Sequence, residues 1–219
     1  MKIAIIGASG RTGIRLVRES IRRGYQVVAV CRETSAGKLD EFVEQQGLTV
    51  MTAPVVSDQA ILKQALAGCD AVVVVAITVR CLKATELVAA LAKATAANGV
   101  KRLVFTAGEI TAVLAEGETH TLRQRIMLAL ITPIMWLTPY SLTDMRRATA
   151  LVRRQSDWEW TIVRAPTLTD SPPVGYRFCG ISEVTSKHAL SREDYAACLL
   201  DSLKEPDHRR RTLTVVSAK

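Results

Sequence analysis

The chain has 219 residues, of which 48% are hydrophobic, 23% charged and 5% aromatic. This length and composition predict one globular domain with a sizeable core, and they exclude a disordered chain. The 29 basic and 21 acidic side chains give a formal net charge of +8, which favours anionic ligands.

The basic residues are scattered, so nucleic acid is not an expected partner. Their tightest cluster, Arg209–Arg211, precedes a predicted last strand and is interpreted as a solvated turn. The five cysteines form no C-x-x-C pair, which is typical of reduced thiols in a cytoplasmic protein. The three histidines lie far apart and show no metal-binding spacing, so no metal is expected. Because the first strand begins at Lys2, no signal peptide is expected.

A hydrophobic strand at the start of the chain leads directly into a glycine-spaced turn. Lys2–Ile6 is followed by Gly7, Gly10 and Gly13, and then by a helical pattern. In this setting the first glycine allows a sharp turn, the second lets a diphosphate approach the backbone, and the third lets the helix pack closely. The turn therefore predicts a dinucleotide site at a helix N-terminus, with a plain strand-to-helix turn as the alternative. Side chains that would add hydroxyl groups and positive charge are Ser9, Thr12 and Arg11.

The end of the second predicted strand bears on the choice between NAD and NADP. Gln26–Cys31 has a strand pattern and is followed by Arg32. An acidic residue at this place accepts from the ribose 2′-hydroxyl of NAD, whereas an arginine suits the 2′-phosphate of NADP. The sequence therefore predicts NADP(H), and a solvated arginine is the alternative interpretation. Residues near enough to add contacts are Thr34, Ser35 and Lys38.

Strand and helix patterns alternate along the rest of the chain. The further predicted strands are 48–51, 71–76, 102–106, 160–164 and 212–216. The predicted helices are 59–66, 82–97 and one that begins with Ser191 as its cap. This alternation predicts an α/β fold with a Rossmann-type, doubly wound parallel sheet, whose ligand crevice lies at the carboxyl ends of the strands.

One apolar stretch, Ile126–Leu137, interrupts the alternation and contains Thr132-Pro133. It is too short for a transmembrane helix, so no membrane-spanning segment is expected. We expect two short helices that cover the crevice. Three interpretations stay open: ordinary core, a wall or lid of a substrate site, and a patch that faces a membrane or a second protomer. The flanking arginines that suit anionic lipid are Arg123, Arg125, Arg146 and Arg147.

Together with the glycine turn, the stretch that ends in Arg164–Pro166 makes a family resemblance visible. The chain resembles the atypical short-chain dehydrogenase/reductases of the NAD(P)-binding, NmrA-like type. That group includes biliverdin reductase B, a flavin reductase. The matching stretches are 7–13, Arg32, 72–78, 99–104, 160–166 and 191–197, which are spread over most of the chain. The resemblance implies a single Rossmann domain over 1–219 with a short C-terminal substrate-binding part. It makes 108–145 and 166–190 the substrate-side segments.

The resemblance also assigns cofactor contacts. Those around the diphosphate and the 2′-phosphate would be Gly7, Ser9, Gly10, Arg11, Thr12, Gly13 and Arg32. Thr78, after the fourth strand, would lie near the phosphates or ribose. Thr106, at the end of the fifth strand, and Pro166, after the sixth, would lie beside the nicotinamide.

The chain departs from the family at the proton relay. The serine that active enzymes carry after strand five is missing from Thr106–Gly108. Tyr140 is followed four residues later by Asp144, so it has no lysine partner to lower its pKa. Reduction of a simple ketone by the usual route is therefore not expected. Two further departures are Ala53-Pro54 in place of Gly-Asp and Ile77 in place of a glycine.

Two classes of function remain. The first is an NADPH-dependent reductase that transfers hydride to a small conjugated acceptor, such as a flavin or quinone, which spreads the arriving charge so that solvent can supply the proton. Tyr140 is the candidate catalytic residue, with a packing or interface tyrosine as the alternative. His120 is a weaker candidate, because it lies in a polar loop where a solvated side chain is the alternative. The alternative is a non-catalytic NADP(H)-binding sensor of the NmrA-like type that regulates a partner protein. The expected partners are a small-molecule substrate and, as an open question, a second copy in a homodimer.

Overall fold

The computed structural model describes residues 1–75, 83–110, 113–136, 141–185 and 187–218, and residues 134–136 for their backbone only. The strands are β1 (Lys2–Ile6), β2 (Gln26–Arg32), β3 (Leu48–Ala53), β4 (Ala71–Val74), β5 (Arg102–Gly108), β6 (Glu159–Ala165), β7 (Thr167–Thr169), β8 (Tyr176–Cys179), β9 (Ala189–Ser191) and β10 (Arg211–Ser217). The α-helices are α1 (Arg11–Arg22), α2 (Gln59–Ala65), α3 (Ala84–Asn98), α4 (Leu122–Trp136), α5 (Leu142–Arg154) and α6 (Arg192–Lys204).

Eight of the described strands form one sheet in the order β3-β2-β1-β4-β5-β6-β10-β8. Neighbouring strands are parallel except β8, which runs antiparallel to β10 at the edge. The chain moves outward from β1 to β3 and then continues on the other side of β1 with β4. A ligand crevice is therefore expected at the carboxyl ends of β1 and β4. This topology confirms the predicted Rossmann-type fold.

Helices cover both faces of the sheet because alternate residues of a strand point to opposite sides. On β1, Ala4 and Ile6 belong to the apolar cluster that includes residues of α2, α3 and α5. Ile3 and Ile5 belong to the cluster of the opposite face, with residues of α1, α6 and the 3-10 helix Glu33–Phe42. All four side chains are fully buried. These two layers hold the loops at the strand ends in defined positions.

The apolar stretch expected to form two short helices belongs to one helix, α4, as far as Trp136, and Leu137 lies outside the described residues. Pro133 lies inside this helix, where it removes one backbone N–H donor. The interpretation of this stretch as ordinary core is wrong at its start. The side chains of Ile126 and Leu130 are exposed to 53% and 67%. No helix within the described ranges is long and apolar enough to cross a membrane.

Several elements differ from the sequence predictions in extent or were not predicted. The fifth strand continues to Gly108, two residues beyond its predicted end. The segment after Arg32 forms a 3-10 helix, Glu33–Phe42, which was not predicted. Helix α5 was not predicted, although its buried residues Leu142, Met145, Ala148 and Val152 recur at helical spacing. The short strands β7, β8 and β9 have only three or four residues each, too few for a clear period.

Candidate functional site

The glycine turn lies between β1 and α1 at the carboxyl edge of the sheet. Gly7 has a φ of 89°, a left-handed conformation that favours glycine. The N–H groups of Gly7 and Ala8 both donate to the Val30 carbonyl on β2, at 2.9 and 3.1 Å. These bonds tie the turn to the end of the neighbouring strand, which carries Arg32.

Helix α1 begins at this turn without a side-chain cap. Its N-cap is Gly10, so no side chain accepts from the N–H groups of Arg11, Thr12 and Gly13 at the first turn. A Cβ on Gly13 would lie 2.3 Å from the Gly7 carbonyl oxygen, whereas one on Gly10 would lie 3.2 Å from it. Gly13 is therefore required for the packing of α1 on the turn. Gly10 is exposed and leaves a backbone cradle whose shape and donors fit a diphosphate.

Arg32 stands exposed at the end of β2, beside the cradle. The hydroxyl of Ser35 lies 2.8 Å from the hydroxyl of Ser9 and donates to the Arg32 carbonyl at 3.1 Å. These contacts join the 3-10 helix after β2 to the glycine turn. The ion pairs within the described ranges do not include the Arg32 guanidinium, which is therefore available to an anionic ligand.

A group of ion pairs joins the segment after β6 to helix α1. The Asp170 carboxylate forms ion pairs with Arg15 and with Arg192, at 2.9 Å each. The guanidinium of Arg11 lies 4.0 Å from the same carboxylate. Arg192 is buried at the start of α6, so its pair is screened less than the exposed one at Arg11. Asp170 thereby holds the chain that follows β7 against the first turns of α1, next to the cradle.

The start of α3, by contrast, is closed by a side chain. The Asp144 carboxylate accepts from the Ala84 N–H and from the Thr85 hydroxyl, both at 2.6 Å. Asp144 lies on α5, four residues after Tyr140, where the resemblance leads us to look for a lysine. This position therefore caps a helix in this protein and supplies no cation.

A cavity of about 460 Å³ opens beyond the carboxyl ends of β5 and β6. Small-molecule sites usually have volumes of about 300–1,000 Å³. Helix α4 forms one wall through Met127, Leu128 and Ile131. The polar side chains at the cavity include Glu109, His120, Arg123 and Gln124. The cavity thus combines an apolar wall with a small number of polar groups, as expected of a ligand site.

Gln124 holds the wall helix in place. Its side-chain amide donates to the carbonyls of Ile181 and Val184, at 2.7 and 2.9 Å. Its side-chain oxygen accepts from the Thr121 N–H at 2.9 Å, and the Thr121 hydroxyl accepts from the Gln124 N–H at 3.3 Å. This reciprocal capping box starts α4 and docks it on the turn that forms the opposite side of the cavity.

A buried ion pair anchors the loop between β5 and α4. Arg164 on β6 has only 1% of its side chain exposed, and it donates to both carboxylate oxygens of Glu118 at 2.7 and 2.5 Å. Glu118 also accepts from the Ala115 N–H at 2.7 Å. Burial acts in the opposite direction, but the Arg164 hydrogen bonds hold the pKa of Glu118 below its usual value. Glu118 is therefore an ionised carboxylate that accepts hydrogen bonds from both terminal nitrogens of Arg164.

Burial shifts the pKa of two titratable side chains at the cavity in the direction that favours the neutral form. Burial raises the pKa of Glu109, against the opposing charge of Arg164. Burial also lowers the pKa of His120. The Glu109 Oε2 and His120 Nδ1 atoms are buried and have no hydrogen-bond partner within the described ranges. The His120 side chain is therefore not simply solvated, because its Nδ1 atom is buried at the cavity.

Two of the remaining predicted site residues are described by the structure, and both lie at the carboxyl ends of the strands. Thr106 is half-buried in β5, and Pro166 directly follows β6 and is partly exposed. Thr78 and Tyr140 lie outside the described residues. Within the described ranges no group of His, Cys, Asp or Glu side chains is arranged to hold a metal ion.

The sequence analysis assigns no role to Glu109, Glu118 or Asp170. Glu118 pairs with a residue 46 positions away in the chain, so no local pattern indicates the contact. Glu109 does carry a signal, because it is an acidic residue placed directly after a buried strand.

Known proteins are similar to this chain over nearly their whole length. The uncharacterized protein YwnB of Bacillus subtilis (strain 168) is 26% identical over 232 residues, which cover 99% of each chain. A short-chain dehydrogenase/reductase from Veillonella parvula DSM 2008, solved in complex with NADP, has 19% identity and a TM-score of 0.80, with 99% of this chain and 94% of that chain covered. ChuY from Escherichia coli O157:H7, described as an anaerobillin reductase, has 16% identity and a TM-score of 0.72, with 100% and 98% covered. The two solved structures share the fold of this chain. The sequence profile of the NAD(P)H-binding family matches residues 7–206, and the chain belongs to that family.

Proposed function

We propose that the protein is an NADPH-dependent reductase that transfers hydride to a small conjugated acceptor, such as a flavin or quinone. The observation that carries this proposal is the cavity beyond β5 and β6, on the same sheet edge as the glycine turn. A dinucleotide whose diphosphate lies at the turn extends along this edge. The cavity then adjoins the end of the cofactor at which reduction takes place.

Residues of this chain would hold the cofactor along that edge. The N–H groups at the start of α1 would donate to the diphosphate, which Gly10 allows to approach the backbone. When bound, NADPH supplies the hydride, and the protein supplies position and a cavity that excludes water. The full proposed set is Gly7, Ser9, Gly10, Arg11, Thr12, Gly13, Arg32, Thr78, Thr106 and Pro166.

The preference for NADP(H) over NAD(H) rests on Arg32. Its guanidinium is exposed beside the cradle and can bind the 2′-phosphate through two N–H groups. The similar Veillonella structure was solved with NADP, which agrees with this preference.

A conjugated acceptor suits a site without the tyrosine–lysine relay. Asp144 is an acidic residue that caps α3, and a carboxylate does not lower a tyrosine pKa as a lysine cation would. An acceptor with its own π system spreads the arriving negative charge and places less demand on an acid. Tyr140 remains a candidate proton donor through its phenolic hydroxyl. Substrate contacts are proposed for segments 108–145 and 166–190 of the single domain.

Stopped-flow oxidation of bound NADPH tests the proposal. The protein is loaded with NADPH and mixed with a panel of flavins, quinones and tetrapyrroles, while the loss of NADPH absorbance is followed. We expect oxidation of bound NADPH whose rate saturates with at least one acceptor. Gly10→Val serves as the control that lacks the cofactor site. Tight NADPH binding without oxidation by any acceptor would refute the reductase proposal.

The alternative of an NADP(H)-binding sensor is favoured by one observation. The outer face of α4 exposes Leu122, Ile126 and Leu130, four residues apart, as an apolar stripe that a partner protein could cover. In that case NADPH and NADP⁺ would change the affinity for the partner without turnover. We further propose that the protein is related to the NmrA-like type and that it forms a homodimer. A cytoplasmic location is proposed as well, because the cysteine pattern is typical of reduced thiols.

A further inference from the structure

We propose that Glu109 is the proton donor of the cavity and delivers a proton to the carbonyl oxygen or ring nitrogen of the bound acceptor. This inference rests on the proposed reductase function and assigns a residue to the proton transfer that must accompany hydride transfer. It also restricts the substrate class to acceptors that present a hydrogen-bond acceptor atom next to the position that is reduced.

The position of Glu109 suits this role. It is the first residue after β5, and its N–H donates to the Ala165 carbonyl at the end of β6, at 3.1 Å. This hydrogen bond fixes the Glu109 backbone at the ends of β5 and β6, beyond which the cavity opens. Glu109 is one of the residues that line this cavity, together with Met127 and Ile131 of the apolar wall. An acceptor in the cavity would thus lie against both the carboxyl group and the edge along which the cofactor extends.

The surroundings of Glu109 favour a protonated carboxyl group. Its Oε2 atom is buried and has no hydrogen-bond partner within the described ranges. The cation that acts on it, Arg164, already donates through both terminal nitrogens to Glu118. A buried carboxylate without a compensating partner is costly, whereas the neutral acid can donate to a ligand. Burial therefore raises the pKa of Glu109, and Arg164 only partly opposes this.

The other groups near the cavity leave this balance unchanged. The His120 side chain across the cavity has a pKa lowered by burial, and the Cys179 thiol on β8 has a pKa raised by burial, so both are neutral near pH 7. Arg146 on α5 donates to the Ile110 carbonyl at an exposed position. The remaining cation at the cavity is the exposed side chain of Arg123.

The step balances as a two-electron reduction. The acceptor takes a hydride from NADPH and a proton from Glu109, whose O–H bond breaks as an O–H or N–H bond forms on the acceptor. The products are NADP⁺, the reduced acceptor and the Glu109 carboxylate. Because the Oε2 atom of that carboxylate is buried and the cavity has an apolar wall, the carboxylate regains a proton from water when the product leaves.

Turnover of menadione by Glu109→Gln tests the assignment. The variant keeps the size of the side chain but loses the transferable proton, so kcat should fall about 100-fold, within the range found for general acids. The NADPH dissociation constant should stay unchanged. Parent kcat should decline as pH rises through the Glu109 pKa, and the variant should lose this dependence. Glu116→Gln, an exposed position of the following loop, should behave like the parent.

A second measurement does not depend on activity. The ionised form of Glu109 is disfavoured in the folded protein, so the parent loses stability as pH rises from the usual glutamate pKa through the raised one. Glu109→Gln should therefore be more stable than the parent at pH 8, and the difference should vanish near pH 4. Urea unfolding at several pH values measures it.

The outcomes separate the two proposals. Absence of NADPH oxidation in the parent with every acceptor would refute the reductase function. Parent turnover that survives Glu109→Gln, or that is lost in Tyr140→Phe and kept in Glu109→Gln, would overturn the assignment of Glu109. Lower stability of Glu109→Gln at neutral pH would show a carboxylate held ionised against Arg164, which also overturns the assignment.

Discussion

Gly10 and Gly13 serve different purposes although they lie three residues apart in one turn. A side chain on Gly13 would collide with the carbonyls of Gly7 and Ala8, at 2.3 and 2.5 Å from its Cβ. A side chain on Gly10 would meet only the Gly7 carbonyl, at 3.2 Å, and would otherwise extend into the space proposed for the diphosphate. The first glycine to test for binding is therefore Gly10, because Gly13 is required for the fold.

Gly10→Val should abolish NADPH binding and leave the melting temperature close to that of the parent. Gly13→Ala should lower the melting temperature strongly, because two backbone carbonyls have to move. Fluorescence titration with NADPH and thermal unfolding measure the two effects. NADPH binding by Gly10→Val with parent affinity would show that the diphosphate lies elsewhere.

Arg32→Ala should weaken NADPH binding and leave NADH binding nearly unchanged. A hydrogen bond to a charged group contributes about 1.5–3 kcal/mol, which corresponds to about one to two decades in affinity. Arg147→Ala, on the exposed face of α5, serves as a control for the loss of one positive charge. An equal loss for both cofactors would mean that Arg32 contacts a part common to NADPH and NADH.

At the scale of elements, the helix starts of this fold differ in how they are closed. Side chains cap α2, α5 and α6 through Asp58, Ser141 and Ser191. Helix α3 borrows its cap, Asp144, from α5. Helix α1 has no side-chain cap and begins at the proposed diphosphate position. The donors left without a protein acceptor thus coincide with the glycine turn.

Asp144→Ala should destabilise the protein through α3 and not through the site. Loss of a helix cap costs about 0.5–2 kcal/mol, and each kcal/mol lowers the melting temperature by about 2–4 °C at this chain length. Asp157→Ala, an exposed acid after the end of α5, should change it little. A variant with parent stability but altered NADPH affinity would place Asp144 at the cofactor instead.

At the scale of the whole molecule, the net charge of +8 favours the approach of an anionic cofactor. NADPH affinity should fall several-fold as salt rises from about 50 to 500 mM, because screening shortens the range of these charges. The fall should be smaller for NADH, which lacks the 2′-phosphate. Titrations with both cofactors over this range measure the two slopes, and parallel slopes would show that Arg32 does not meet the additional phosphate.

The sequence was a sufficient guide to the sheet and to the glycine turn at the carboxyl ends of its strands. The apolar runs of β1 and β4 and the glycine spacing depend on neighbours in the chain, so their structure follows from local pattern. Helix α4 was less predictable, because its apolar residues divide between a cavity wall and an exposed face. The sequence pattern shows which residues are apolar, but it does not predict whether each one faces the core, a cavity or solvent.

The sequence by itself determined that this protein has a doubly wound sheet, a glycine turn after the first strand and an arginine at the end of the second. Only the tertiary structure decided that Glu109 faces a cavity, that Glu118 occupies the guanidinium of Arg164, and that Asp144 caps a helix. The reason is physical. The ionisation and partners of a polar side chain depend on burial and on groups far away in the chain, and these are set when the layers pack together.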